Sequence, residues 1–216
     1  MRKFFIESLE KLNTDLIELG AMCEKSIDNI NNALINKDAD IAKEVMASAP
    51  EFTIVSRKVE TDALTLVLRQ QPVAGDFRKL QATMKIIADL NRISAMCADF
   101  CELLLYMCEY DYKMEKSLVD IANETKSMLN NAVECYIKMD LDLCEQTIRQ
   151  DDKVDALFAQ VKEKLEKEMS KNQKIHNVIL DKLMIAKYYE RIADHAENIA
   201  HWVKYAVTGL YKGEQL

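Results

Sequence analysis

The chain has 216 residues and a formal net charge of −7, with 49% hydrophobic and 30% charged residues. This balance is typical of a globular protein with a real core, and an acidic chain without a Lys/Arg cluster argues against a general nucleic-acid-binding protein. Only four Gly and two Pro residues are present, too few for the many tight turns of an all-β fold.

Three long helices are predicted in the first half. Apolar residues recur at spacings of three and four over residues 5–34, which indicates one long amphipathic helix. "NKDAD" then breaks the chain and offers Asp38 as the cap of a second helix, with a kink expected at Pro50. "QQPVAGD" ends that helix, and Pro72 suits the first turn of a third helix that continues to about Tyr110.

The second half follows the same plan. A helix over about 113–138 precedes "KMDLD", which matches "NKDAD", and the next helix covers about 140–168. "SKNQK" separates this helix from the last one, which Thr208 and Gly209 should end.

The two halves align residue by residue, with Asp38 corresponding to Asp140, and this indicates an internal repeat. We therefore predict an all-α fold of six long helices, arranged as two repeated antiparallel three-helix bundles without a sheet. The first repeat should cover residues 1–110 and the second residues 111–216, joined near residues 109–113.

The start of the chain lacks the long apolar run of a secretory signal, and no segment approaches the ~20 apolar residues that span a bilayer. We therefore expect a cytoplasmic protein with six reduced cysteines. Cys97, Cys101 and Cys108 share a helical stripe, which would allow a soft-metal site. The same stripe carries the apolar core residues, so buried thiols are the favoured interpretation.

Four acidic residues carry the most specific polar pattern. Asp151 and Asp155 lie four residues apart on the fifth predicted helix, and Glu190 and Asp194 lie four apart on the sixth. Each pair projects from one helix face, so two adjacent helices could present four carboxylates to a hard cation. Without a cation, like charges at this spacing slightly destabilise a helix.

The alternative is a solvated acidic face that Lys153 or Arg191 neutralises locally. Comparison of the halves favours a joint site, because all four acids are present in one half and absent from the other. The first-half counterparts are Ala49, Thr53, Asn91 and Ala95.

Two segments carry a family resemblance. "LRQQPVAGDFRKLQATMKIIADLNRI" resembles the first-repeat signature of the PhoU family of phosphate-specific transport regulators, and "IAKYYERIADHAENIA" resembles its second-repeat signature. The resemblance covers essentially the whole chain. It implies six helices in two repeats and metal binding by Glu/Asp-x-x-x-Asp motifs, which here are Asp151 with Asp155 and Glu190 with Asp194.

The resemblance also implies a function. The chain is expected to be a cytoplasmic negative regulator of phosphate uptake and phosphate-starvation signalling, and not an enzyme. Its expected partners are the ATPase subunit of the phosphate ABC transporter, a membrane sensor histidine kinase and a second copy in a homodimer. One Mg, Mn, Fe or Zn ion site is expected in the second repeat, and the departures in the first repeat put a second site in doubt.

Two other functional classes remain open. One is a metal-free helical scaffold or adaptor of another transporter, with acidic faces that only confer solubility. The other is an enzyme, either a di-iron protein or a metal-dependent phosphohydrolase. The chain lacks the Glu-x-x-His ligands of di-iron bundles and a recognisable nucleophile motif, so the enzyme interpretation is the least favoured.

Glu190 and Asp194 begin an acidic stripe on the sixth helix, which Glu197 and His201 continue. The side chains on and beside this stripe have expectations of their own. His195 should be packed and hydrogen-bonded, whereas Glu197 and His201 extend the stripe and should be solvated. His201 lies about 10 Å along the helix from Asp194 and is excluded as a ligand. Arg191 points about 100° away and should pair with a neighbour.

In the first repeat, the face that matches the acidic stripe has lost most of its charge, and a plain Ala-rich surface is as good an interpretation as an interface. If it is an interface, we expect a partner or a second copy there. This face comprises Asn91, Ala95, Ala98 and Glu102, flanked by Leu105.

Overall fold

The computed structural model describes residues 2–70, 72–110, 114–170 and 176–215. Almost all of these residues lie in helices, and none of these helices, within the described ranges, is long and apolar enough to cross a membrane. The predicted set of six long helices is confirmed. The helices are α1 (Arg2–Asn36), α2 (Ala39–Gln70), α3 (Ala74–Cys108), α4 (Lys116–Lys138), α5 (Leu141–Met169) and α6 (His176–Thr208).

The same turn occurs twice, at matched positions of the two repeats. Lys37 and Met139 have positive φ angles of 55° and 51°, which reverse the chain after α1 and α4. Asp38 Oδ1 then accepts hydrogen bonds of 3.0 and 3.1 Å from the backbone N–H groups two and three residues later. Asp140 Oδ1 does the same at 2.9 and 3.0 Å. The prediction of an N-terminal cap at Asp38 is confirmed, and its match with Asp140 extends to atomic detail.

The six helices form two three-helix groups, α1–α3 and α4–α6. These groups meet because α3 packs along α6 and α1 along α4. One continuous hydrophobic core contains buried residues from all six helices. Gly20 allows the close approach of α1 to α4, since a Cβ atom there would lie only 2.9 Å from Val133 Cγ1.

Buried polar groups cross the junction between the repeats. Tyr189 of α6 donates its hydroxyl hydrogen to Asn31 Oδ1 of α1 at 2.6 Å, and Asn31 Nδ2 donates to the Ala122 carbonyl of α4 at 3.2 Å. Tyr136 of α4 donates to Asn13 Oδ1 of α1 at 2.5 Å. These bonds have a defined direction, so they fix how the two repeats are positioned relative to each other.

Three predicted details differ from the structure, stay untested or lie outside the described residues. Pro72 precedes α3, whose N-cap is Val73 in extended conformation, so the placement of Pro72 in the first turn is wrong. α2 continues through Pro50, and the kink expected there stays a prediction. Part of the predicted junction between the repeats, residues 111–113, lies outside the described residues.

The chain ends in a short antiparallel hairpin of β1 (Leu210–Tyr211) and β2 (Glu214–Gln215). α6 ends at Thr208 as predicted, and Gly209 takes a φ of +80° to turn the chain back. Tyr211 then stacks on Trp202 of α6 with ring centroids 4.1 Å apart. The expectation that no sheet would be present is therefore wrong at this end of the chain.

Candidate metal site

The four predicted acidic ligands lie where α5 and α6 pack together. Asp151, Glu190 and Asp194 are half-buried, whereas Asp155 is exposed. α5 buries Val154 completely and α6 buries its apolar side, so the acidic positions fall beside the seam between the two helices. The four positions therefore lie at the edge of the bundle, and whether they form one shared site stays a prediction.

The carboxylates act on one another electrostatically. Burial, together with the negative charges of Glu197, Asp194, Asp155 and Glu190, raises the pKa of Asp151 to about 7, and burial is the largest cause. Burial also raises the pKa of Asp194, again with contributions from Glu190 and Asp155. Mutual repulsion of this kind is what a bound cation would relieve.

Two observations bear on whether these residues fit a metal ion. Asp151 Oδ1 and Glu190 Oε2 are buried without a hydrogen-bond partner, so each has an unused acceptor. Within the described ranges, however, no three His, Cys, Asp or Glu side chains are grouped closely enough to surround an ion. The donor types fit a hard cation, and the side chains would have to turn towards one another to bind it.

Of the basic side chains near the four carboxylates, one pairs with an acid outside the site and another pairs with a predicted ligand. Lys153 pairs with Glu124 of α4, with Nζ 2.6 Å from Oε2, and does not neutralise the site. Lys187 forms an ion pair with Glu190, and sequence analysis missed it although it lies only three residues away. Arg191 is exposed. Burial raises the pKa of Tyr188, and the positive charge of Arg191 opposes part of this rise. The pairing of Arg191 with a neighbour stays a prediction.

The expectation that Glu197 and His201 are solvated is wrong. Both side chains are half-buried, and His201 Nε2 lies 3.2 Å from Glu197 Oε1. Tyr211 of the hairpin places its ring edge-on to His201, with centroids 6.0 Å apart. Glu197 also has the largest electrostatic effect on Asp151, so it belongs to the acidic cluster. The sequence feature that could have identified Glu197 is its position three residues after Asp194, on the same face of α6.

The remaining candidate metal ligands are a histidine of α6 and the cysteines on the apolar stripe of α3. His195 is half-buried and its Nδ1 lies 2.8 Å from Asp89 Oδ1, which confirms the prediction of a packed, hydrogen-bonded histidine. Cys97 and Cys101 are fully buried, whereas Cys108 is partly exposed. Burial raises the pKa of Cys101 to about 12 and that of Cys97 further, so both remain protonated thiols.

In the first repeat, the residue that corresponds to Glu190 is uncharged, and its side-chain oxygen has a hydrogen-bond partner. Asn91, the counterpart of Glu190, accepts a hydrogen bond of 2.7 Å from the Ser56 hydroxyl of α2. On the surface that follows, Ala95 is exposed and Ala98 half-buried. Whether this face meets a second copy stays a prediction.

The pKa of Asp151 predicts how stability depends on pH when no metal is present. An unfolded Asp has a pKa of about 3.9, so between about pH 4 and 7 the folded chain binds more protons than the unfolded chain. The free energy of unfolding therefore falls as pH rises through this window. We expect the melting temperature in EDTA to fall between pH 5 and pH 7.5, and to fall less for Asp151→Asn. Parallel pH profiles for the two proteins would contradict the assignment.

Comparison with known proteins places this arrangement in a family. The PhoU domain model matches the chain twice, at residues 16–104 and 118–203. The chain is 29% identical over 210 residues to a "phosphate-specific transport system accessory protein PhoU homolog" of Clostridium acetobutylicum, covering 96% of both chains. It is 26% identical over 206 residues to the accessory protein PhoU of Escherichia coli, covering 95% of this chain and 86% of that one.

Solved structures of PhoU proteins have the same fold as this chain. The crystal structure of PhoU from Pseudomonas aeruginosa matches with a TM-score of 0.92 at 26% identity, over 95% of this chain and all of the other (100%). PhoU from Streptococcus pneumoniae matches in fold with a TM-score of 0.88 at 20% identity, over 96% of this chain and 98% of the other. Two matched domains that together span both helical repeats establish that the chain belongs to the PhoU family.

Proposed function

We propose that this protein is a cytoplasmic adaptor that restrains phosphate uptake and phosphate-starvation signalling. It would do so by contacting the ATPase subunit of a phosphate ABC transporter and a membrane sensor histidine kinase, and it would reach the membrane only through these partners. The supporting observation is the match to two PhoU domains, together with alignment along nearly the full length of accessory proteins of phosphate-specific transport systems. A homodimer and the absence of catalysis are parts of the same proposal.

The α5–α6 site would hold a divalent or trivalent metal ion. Asp151 and Asp155 would contribute from α5, and Glu190 and Asp194 from α6. The unpartnered Asp151 Oδ1 and Glu190 Oε2 support this assignment. The ion would supply positive charge that cancels the repulsion among these carboxylates and ties the two helices together. The surface shaped by this tie would be what a partner protein recognises.

A metal-free adaptor is the second candidate. It is favoured by the ion pair between Lys187 and Glu190, which already neutralises one of the four carboxylates. In this case the acidic face would serve solubility alone, and the contacts with partner proteins would not depend on any cation.

One experiment separates these candidates. A strain that lacks the gene should take up more phosphate in phosphate-rich medium, and the wild-type gene should restore the restraint. The Asp194→Ala gene should fail to restore it, because loss of this ligand should weaken Mn²⁺ binding about tenfold or more. Phosphate uptake and Mn²⁺ affinity of the purified proteins are the two measurements.

Each outcome has a defined meaning. Unchanged uptake after deletion of the gene would rule out the proposed regulation. Restoration by Asp194→Ala, with no Mn²⁺ bound by either protein, would establish the metal-free adaptor. Glu163→Gln is the matched control, because it removes a carboxylate of α5 that forms an exposed ion pair with Lys167 away from the site.

A further inference from the structure

Large apolar side chains are exposed on both sides of the seam between α3 and α6. On α3 the Tyr106 side chain is 57% exposed, and on α6 the side chains of Leu180 and Met184 are 49% and 47% exposed. Leu180 and Met184 lie one turn apart on the same face of α6. Apolar side chains that cluster in water mark an interaction surface, whereas single exposed ones are common on any protein.

Three contacts along the seam show how the two helices are aligned. The Tyr205 hydroxyl donates to Gln81 Oε1 at 2.8 Å, His195 Nδ1 lies 2.8 Å from Asp89 Oδ1, and the Tyr189 and Phe100 rings have centroids 5.1 Å apart. Residue numbers rise along α3 as they fall along α6, so the two helices are antiparallel. Continued past the last contact, this register brings Tyr106 level with Met184.

Charges of both signs border these apolar side chains. Asp99 and Glu102 of α3 are exposed beside Phe100, and Arg191 of α6 is exposed shortly after Tyr189. The contact between the two rings therefore sets the acids and the arginine at the same level, on opposite sides of the seam. A surface with acids on one helix and a base on the other can be complemented in charge by a copy of itself.

A two-fold axis parallel to the helices would match these groups. Rotation about such an axis exchanges left and right and leaves every residue at its own level, so α3 of each copy meets α6 of the other. Arg191 then faces Asp99 and Glu102 of the second copy, and Met184 faces Tyr106 of the second copy. Each of these contacts forms twice, once on either side of the axis.

We propose that a second copy of this chain binds to the α3–α6 face, which consists of Asp99, Glu102, Tyr106, Leu180, Met184 and Arg191. α3 of each copy packs against α6 of the other. This inference rests on the homodimer of the proposed function and specifies the surface that forms it. The face continues, towards the C-terminal end of α3, the surface around Ala95 on which the sequence allowed a second copy.

Sedimentation velocity of the purified full chain, over a range of concentrations, tests the apolar part of the face. Met184→Glu should weaken dimerisation about a hundredfold or more, because one carboxylate from each copy would lose its water at the centre of the contact. Leu64→Glu is the matched control, since Leu64 of α2 is also 47% exposed and lies outside the face. It should associate like wild type. Both positions are exposed, so both variants should keep the helical circular dichroism of wild type.

Charge reversal tests the pairing between copies. Arg191→Glu and Glu102→Arg, each made alone, should weaken dimerisation about tenfold, because like charges would then face each other on both sides of the axis. The double variant places opposite charges face to face again, and it should dimerise nearly as well as wild type. A double variant that is no better than either single variant would overturn the proposed arrangement of α3 against α6.

The remaining outcomes separate this inference from the proposed function. If wild type and Met184→Glu dimerise equally well, the α3–α6 face is refuted as the interface and the homodimer stands. If wild type sediments as a monomer at every concentration, the homodimer and this interface are both refuted. Neither result bears on the restraint of phosphate uptake, which the deletion strain measures separately.

Discussion

Replacing Tyr189 by alanine is expected to lower the free energy of unfolding by about 4 kcal/mol. The Tyr189 side chain is fully buried between the repeats, and its ring meets Phe100 edge to face with centroids 5.1 Å apart. Removing the ring leaves a cavity in a region where α3 and α6 pack closely. The same change removes the hydroxyl that donates to Asn31 Oδ1.

Tyr189→Phe separates the two contributions. It keeps the ring and removes only the hydroxyl, so Asn31 Oδ1 loses its donor inside the core. A buried acceptor without its partner costs about 1–3 kcal/mol, and we expect about 2 kcal/mol here. The difference between the alanine and phenylalanine variants then reports the packing of the ring.

Urea unfolding followed by circular dichroism measures both values. Tyr188→Ala is the matched control, because the neighbouring tyrosine is only half-buried and should cost about 1 kcal/mol. Equal losses for Tyr188→Ala and Tyr189→Ala would show that the junction between the repeats is not as tightly packed as described.

The second large effect is expected from Lys182→Met, which should lower the free energy of unfolding by about 3 kcal/mol. The Lys182 side chain is only 2% exposed, and its Nζ lies 2.6 Å from Oε1 of Glu115, the N-cap residue of α4. Glu115 Oε2 already lacks a hydrogen-bond partner. Loss of the ammonium group would leave this partly buried carboxylate without its main compensating charge.

A double variant tests this reasoning. Lys182→Met combined with Glu115→Gln removes both charges and should regain much of the loss, since a neutral amide is less costly to bury than a carboxylate. Lys167→Met, which breaks the exposed pair with Glu163, should change stability by less than about 0.5 kcal/mol. If the double variant is less stable than Lys182→Met, then the carboxylate is not the source of the cost.

The helices and their turns could be predicted because their causes are local. The apolar seams depend on spacing within one helix, and the caps at Asp38 and Asp140 depend on residues two and three positions away. Both signals are therefore present in short windows of sequence. The prediction that Asp151 and Asp155 share a site with Glu190 and Asp194 needed one further inference, namely that α5 and α6 are neighbours, and the two helices do pack together.

The burial of Glu197 and His201 depends on information that helical spacing does not contain. Spacing gives the direction of a side chain around its helix axis, but not how deeply a neighbouring segment covers it. Glu197 and His201 were expected in solvent because the hairpin that approaches His201 was not foreseen. Each strand of that hairpin has only two residues, too few to show an alternating pattern.

Lys182 was missed for a related reason. A lysine near an apolar stripe is normally read as a surface residue whose charge reaches water. Its burial depends on Glu115 being brought to it from the start of α4. Partners that are distant in sequence cannot be recognised before the packing of the helices is known.

The hydrophobic core that the two repeats share has a consequence for the origin of the molecule. Each repeat uses its third helix, α3 or α6, to cover the other repeat, so a single repeat on its own would expose an apolar face to water. An ancestral protein of one repeat would have needed a second copy of itself, and two-fold homodimers are the commonest solution. Fusion of two gene copies would then have converted a symmetric dimer into one chain. Two fused halves can diverge independently, and in this chain only the second half carries the four carboxylates.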